Sequence, residues 1–357
     1  IDWIGHTEYS ETRIEQLDHI FNLIGIIGID LGKHSFHIHC QDRFGKALLR
    51  KKFNRTKLIE SLATFPVCTI VMEACAGAHY MARRLAEFGH ESKLISPQFV
   101  RPFVKSNKND FTDAEAICEA ACRPSMRFVT PKTESQQTLG ALHRVRESFV
   151  RDRVKASNQI HGFLLEFGIS LPVGHAAIKR LPSVMAEHEL PARLITMLER
   201  LHAHFKYLEQ QIAEIDKELA SQLGDDDLGQ RLMTIPGVGP ITASVLAAEL
   251  GDGKHYRCSR DFAASVGLVP RQYSTGGRAN LKGISKRGDK NLRRLLVQCA
   301  RAYMQRLERQ TGRLADWVRS MLTRRHSNVV ACALANKLAR TAWALAARHT
   351  EFRAMPT

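Results

Sequence analysis

Four carboxylates, one serine and a crowd of cations are the residues whose types and spacing suit chemistry in this 357-residue chain. The carboxylates are Asp30, Glu73, Asp110 and Asp113. Asp30 closes the β-branched run IGIIGID, and Glu73 closes the apolar run VCTIVME. Asp110 and Asp113 stand three apart in KNDFTDAEA, on one face of the start of a helix. Hard oxygen donors converging on one point repel one another unless a cation lies between them, and Mg²⁺ or Mn²⁺ suits that donor set. Two such ions roughly 4 Å apart can activate a nucleophile and stabilise a leaving oxygen at a phosphodiester. Taken singly the acids read more plainly, Asp113 as a helix-start charge and Asp30 as a turn former.

The serine is Ser274, in GLVPRQYSTGGRANLKGISKRGDKNLRRLL (267–296). Gly276 and Gly277 leave it little steric shielding, and Arg271, Arg278, Lys282, Lys286 and Arg287 crowd the same segment. Such cations could hold a scissile phosphate and favour a serine alkoxide. On residue types alone the segment reads as a phosphate-binding loop, because Ser-Gly-Gly is common in plain turns. A further phosphate contact is offered by IPGVGPITA (235–243), where Gly237 and Gly239 precede a small-residue helix. That is the pattern of a helix-hairpin-helix, whose backbone N–H groups and helix N-terminus approach phosphate without reading bases. An ordinary helix–helix turn is the alternative.

Elements that position these groups follow from periodicity. IGIIGID, the alternating stretch from Phe36 to Cys40, and ALLRKKF (47–53) predict three short strands in an antiparallel meander. A helix over TKLIESLATF, the strand ending at Glu73, a helix over about 77–88, the strand ESKLI and a helix from Phe111 to Cys122 follow. The order βββαβαβα matches a ribonuclease H-like α/β fold. In that fold the strands ending in Asp30 and Glu73 are neighbours, so both carboxylates emerge at one sheet edge. Residues 134–167 are helical by pattern. Beyond SLPVGH, the apolar residues Leu194, Leu198, Leu201, Phe205, Leu208, Ile212, Ile215 and Leu219 repeat at alternating spacings of four and three. That is the a/d seam of a coiled coil, and an intermolecular seam predicts a dimer. A long helix packed on its own domain is the competing reading.

Composition narrows the class. Apolar residues are 44% and charged residues 25%, ordinary globular usage. No apolar run reaches the roughly 18 residues of a membrane span. The start lacks the basic-then-apolar pattern of a signal peptide, so a cytoplasmic protein is expected. The net charge is +16, and nearly all of it arises between Lys254 and Arg325, where 18 Lys/Arg face 4 Asp/Glu. That is the footprint of a polyanion partner, nucleic acid above all. Eight cysteines without a C-x-x-C pair argue for reduced thiols rather than a zinc site.

Together, IGIDLGKHSFHIHC, VMEACAGAHY, NKNDFTDAEA, IPGVGPITA and GLVPRQYSTGGR with GISKRGDKNLRRLL resemble one family, from about residue 24 to about 348. It is the DEDD-type transposases of insertion-sequence family 110, which includes the Piv-type DNA invertases. The resemblance implies a RuvC-like domain (24–130), a helical, coiled-coil connector (131–227) and a mainly α transposase domain (228–348), flanked by an extension (1–23) and a tail (349–357). It implies that Asp30, Glu73, Asp110 and Asp113 bind Mg²⁺, or Mn²⁺, and that Ser274 attacks DNA covalently. It also implies donor and target DNA as substrates, a structured bridge RNA from the element as guide, a homo-oligomer, and association with the bacterial nucleoid during recombination. A RuvC-like nuclease hydrolysing branched DNA with water is the rival reading, and a non-catalytic nucleic-acid scaffold is a third.

Overall fold

The computed structural model describes residues 23–105 and 109–353. The chain forms two compact units, one ending at Ser135 and the other starting at Gln136.

The first unit is built on a six-stranded mixed sheet. Strands β1 (Ile26–Leu31), β2 (Phe36–Gln41) and β3 (Ala47–Phe53) form the expected antiparallel meander. β4 (Thr69–Glu73) and β5 (Glu91–Ile95) run parallel to β1, and the two-residue β6 (Phe128–Val129) closes the far edge antiparallel. The order is β3-β2-β1-β4-β5-β6. β6 was not legible in the sequence, since two residues carry no alternation.

Helices α1 (Arg55–Thr64) and α2 (Ala78–Glu87) cover one face, where Leu58, Leu62, Met81 and Leu85 pack on Ile27, Ile29, Phe36, Ile38, Ile70 and Met72. Asn54 caps α1 by accepting the Lys57 N–H. Helix α3 (Asp110–Ala121) covers the opposite face through Ala116, Ile117 and Ala120, against Val71 and Ile95. Both faces of β2 are therefore buried, including His37, His39 and Gln41. Alternation in FHIHCQ implied one solvated face; that face lies instead beneath α3, where the Cys118 thiol donates to the His39 carbonyl.

The second unit is helical. Its long helices α4 (Glu134–Leu165) and α5 (Ala192–Gly224) are joined through two short helical pieces. Ile160 and Leu164 of α4 share a core with Leu194, Leu198 and Phe205 of α5, and Arg146 forms a two-pronged ion pair with Asp216 at the other end. The helices thus run antiparallel. Phe205 is fully buried and Leu208, Ile212, Ile215 and Leu219 are buried within the single chain. The a/d seam is satisfied internally, which corrects its reading as a face awaiting a second copy. The expectation of a homo-oligomer then rests on the family resemblance alone.

Helices α6 (Asp227–Met233), α7 (Pro240–Leu250), α8 (Ser259–Ser265), α9 (Lys290–Gln305), α10 (Arg313–Leu322) and α11 (Ser327–Arg348) enclose the remaining core. Between α8 and α9 the chain forms a hairpin, β7 (Pro270–Gln272) and β8 (Leu281–Ile284). The basic segment around Ser274 is therefore a two-stranded ribbon. Almost every residue in it is exposed, so it shows no apolar alternation to announce a strand. Among the described residues, no helix is long and apolar enough to cross a membrane.

One buried pair in this unit has a pH consequence. His143 on α4 lies 2.9 Å through Nε2 from the Ser244 hydroxyl on α7, and both are buried. Burial, and secondarily the Arg146 charge, push its pKa down to about 4. As pH falls from about 6.5, the unfolded chain takes up this proton before the folded one does. Stability is thus complete above about pH 6.5 and is lost toward pH 4, by on the order of 3 kcal/mol. Urea midpoints of helical circular dichroism should fall over this window, and His143→Gln should flatten the fall. An equal fall in the variant would remove His143 as its cause.

Candidate active site

The strand alternation that buries Ile27, Ile29 and Met72 under α1 and α2 turns Gly28, Asp30, Val71 and Glu73 toward α3. β1 and β4 are parallel and in register through Ile29 and Met72, so the next residues, Asp30 and Glu73, lie side by side at the strand ends. Asn109 caps α3 by accepting the Phe111 N–H, and its carbonyl accepts from Asp113. That cap places Asp110 and Asp113 in the first turn, above the same sheet edge.

Gly28 brings the helix this close. A Cβ there would lie 2.3 Å from the Ala114 carbonyl oxygen and 2.7 Å from the Cys118 sulfur. The first obstacle is backbone, so only displacement of α3 relieves it. Gly28→Ala should cost about 1–3 kcal/mol and carry Asp110 and Asp113 away from Asp30. A lowered Tm together with weakened divalent-cation binding is expected; unchanged cation binding would show that α3 need not sit flush.

The electrostatics agree with the geometry. Burial raises the pKa of Glu73, and the charges of Asp30 and then Asp113 raise it further. The Cys75 thiol, just beyond the β4 end, is pushed up by burial, Glu73 and Asp30 in that order. Asp30 on β1 and Asp113 on α3 are thus close enough to Glu73 on β4 for their charges to disfavour its ionised form. Asp110 lies beside His37, with Oδ2 3.4 Å from His37 Nδ1. Asp30, His37 and Asp110 each place a ligand atom within 4.8 Å of the others. The donor set suits a divalent cation.

His37 is the residue sequence reasoning missed. In the sequence it is only a polar position of the alternating stretch from Phe36 to Cys40, whereas the register sets it directly across from Asp30. Only cross-strand pairing could reveal that.

Ser274 lies in the other unit, on the hairpin arm. The turn Thr275–Arg278 is closed by the Arg278 N–H to Thr275, and Gly276 and Gly277 both have positive φ, at 56° and 74°. This is the primed turn that matches strand twist, and it explains both glycines without phosphate. Ser274 is exposed, yet its oxygen is held: it accepts from Gln272 Nε2 at 2.8 Å and from the Asn280 N–H at 3.2 Å. Both bonds are donated to the oxygen, which leaves the hydroxyl proton uncommitted to either. The phosphate-binding loop expected around this serine is a two-stranded ribbon. Arg271, Arg278 and Lys282 are exposed on it, and Lys282 Nζ lies 5.1 Å over the Tyr273 ring. Lys286 and Arg287 are exposed at its base. Gly237 falls in the turn between α6 and α7, and Gly239 is the residue before α7.

The chain thus pairs a mixed α/β unit that carries an acid cluster at its sheet edge with a basic helical unit that presents a serine. Residues 27–169 match the family model of a DEDD-type transposase, and residues 229–315 match that of the IS116/IS110/IS902 family of transposases. The chain is 68% identical over 329 residues to the transposase for insertion sequence element IS1328 of Yersinia enterocolitica, covering 92% of this chain and 98% of that one. It is 45% identical over 331 residues to a probable family 20 transposase of Pseudomonas aeruginosa, with coverages of 92% and 98%. Against the transposase for insertion sequence element IS1111A of Coxiella burnetii the identity is 38% over 333 residues, covering 92% of each. The chain belongs to the IS110/IS116/IS902 family of transposases, and it is an enzyme acting on DNA.

Proposed function

We propose that this transposase is a site-specific recombinase that cuts and rejoins the strands of an insertion sequence through a phosphoserine–DNA linkage at Ser274. The sheet order and the α3 face support an RNase H-like, RuvC-like reading of the first unit. In this reading Asp30, Glu73, Asp110 and Asp113 hold Mg²⁺ or Mn²⁺, which when bound supplies charge neutralisation at the scissile phosphate. The chain's own residues do the rest. Gln272 and the Asn280 N–H aim the Ser274 oxygen and favour its alkoxide, since both donate to it. Arg271, Arg278 and Lys282 hold phosphate oxygens, while Gly237 and Gly239 present backbone N–H groups at the turn before α7. The Ser274 oxygen bonds to phosphorus, the bond to one sugar oxygen breaks, the serine proton passes to solvent, and the released sugar oxygen takes a proton from solvent to become a strand hydroxyl. A free strand hydroxyl then reverses the step and releases the serine. Guidance by an element-encoded bridge RNA, assembly as a homo-oligomer and action at the nucleoid complete the reading, on the strength of the family resemblance.

The observation that carries the proposal is the pinned, exposed Ser274 oxygen among cations. A nicked suicide duplex with the element's RNA and Mg²⁺ should trap a protein–DNA adduct that survives denaturation. Cut DNA without any adduct would transfer the chemistry to a water nucleophile and the acid cluster alone.

A further inference from the structure

We propose that His37 is a nitrogen ligand to the divalent cation held by Asp30 and Asp110, and that this donor biases the position toward Mn²⁺ over Mg²⁺. The inference rests on the reading of the acids as a metal site.

His37 is 5% exposed, and its Nδ1 is buried with no hydrogen-bond partner. An orphaned buried nitrogen costs on the order of 1–3 kcal/mol unless something completes it. Its nearest acid, Asp110 Oδ2, stands 3.4 Å away but off the line of a hydrogen bond. Across the strand pair lies Asp30, and the three ligand atoms fall within 4.8 Å of one another. Ligands about 2.1 Å from one cation lie roughly 3–4.2 Å apart, so small side-chain adjustments within the 4.8 Å spacing seat an ion.

The ring is also set in place. It meets Phe111 edge-on with centroids 4.7 Å apart, and β2 is buried along its whole length. Such a side chain pays little entropy to ligate. Imidazole is a softer donor than carboxylate; it strengthens binding of transition metals and adds little for Mg²⁺, which prefers oxygen. Asp113 and Glu73 remain as an all-oxygen side of the cluster, so the two sides differ in chemistry.

Electron spin-echo spectroscopy of the full-length protein loaded with Mn²⁺ tests the ligand directly, without a variant. The wild type should show ¹⁴N modulation from a bound imidazole. In His37→Asn, whose amide oxygen stands near the Nδ1 position, the modulation should vanish, the Mn²⁺ Kd should rise about tenfold, and the Mg²⁺ Kd should stay within about twofold. Mn²⁺ bound without nitrogen modulation, or modulation and affinity unchanged in His37→Asn, would overturn the assignment while leaving the carboxylate site intact. A wild type that binds no Mn²⁺, with Asp30→Asn indistinguishable from it, would overturn both.

Discussion

Ser274→Ala should bind DNA as the wild type does but form no covalent adduct, with recombinant product reduced by on the order of 10³-fold or more. The substitution removes one oxygen from an exposed hairpin and leaves every cation around it in place. DNA affinity comes from Lys/Arg contacts and counterion release, which the variant retains. The hairpin loses two hydrogen bonds to Oγ, worth about 1 kcal/mol each at most in so exposed a setting, while its primed turn and the pairing of Tyr273 N–H with Asn280 persist. Ser274→Cys should keep a small residual, because a thiolate attacks but sulfur is a poor match for phosphorus. Adduct-trapping gels and a recombination assay read both outcomes. Near wild-type recombination by Ser274→Ala would make the serine structural and hand the nucleophile to water.

Glu73→Gln should be as damaging to strand cleavage and should make the metal-free protein more stable. Gln keeps the size and loses the charge. The charged form of Glu73 is held against burial and against Asp30 and Asp113, which raise its pKa above the unfolded value. The sign follows: a carboxyl with a raised folded pKa costs stability above that pKa, and the cost disappears on protonation or on replacement by Gln. In EDTA, Tm should therefore rise in Glu73→Gln. With saturating Mg²⁺, the wild type should gain more Tm than the variant, since the cation relieves a repulsion the variant lacks. Strand cleavage should fall by on the order of 10³-fold with DNA binding retained. Full cleavage by Glu73→Gln would sink the metal-site reading; a lower Tm in EDTA would mean that Glu73 supports the fold instead of straining it.

Local patterns carried a large share of this protein. Each strand from β1 to β5 is a short alternating or apolar run bounded by turn residues, and the runs IGIIGID and VCTIVME put Asp30 next to the closing end of β1 and Glu73 at that of β4. The three-residue spacing of Asp110 and Asp113 set both on one helical turn. The helix pattern of 134–167 and 194–219 was equally legible, because an amphipathic stripe is written in the residues themselves. The stripe has no address, however. Leu194 to Leu219 could have faced a second copy or the same chain, and only the return of α4, with Arg146 meeting Asp216, decided that it faces inward. The hairpin carrying Ser274 was hidden for the opposite reason: its strands bury nothing, so they leave no hydrophobic trace, and backbone pairing alone makes them. His37 shows the same limit most sharply. A histidine on a strand is an ordinary polar residue until register sets Asp30 across from it and α3 lays Asp110 beside it. Sequence determines which faces are apolar and where the acids stand along the chain. Tertiary pairing decides which groups meet, because distance across a sheet is set by register and not by separation in sequence.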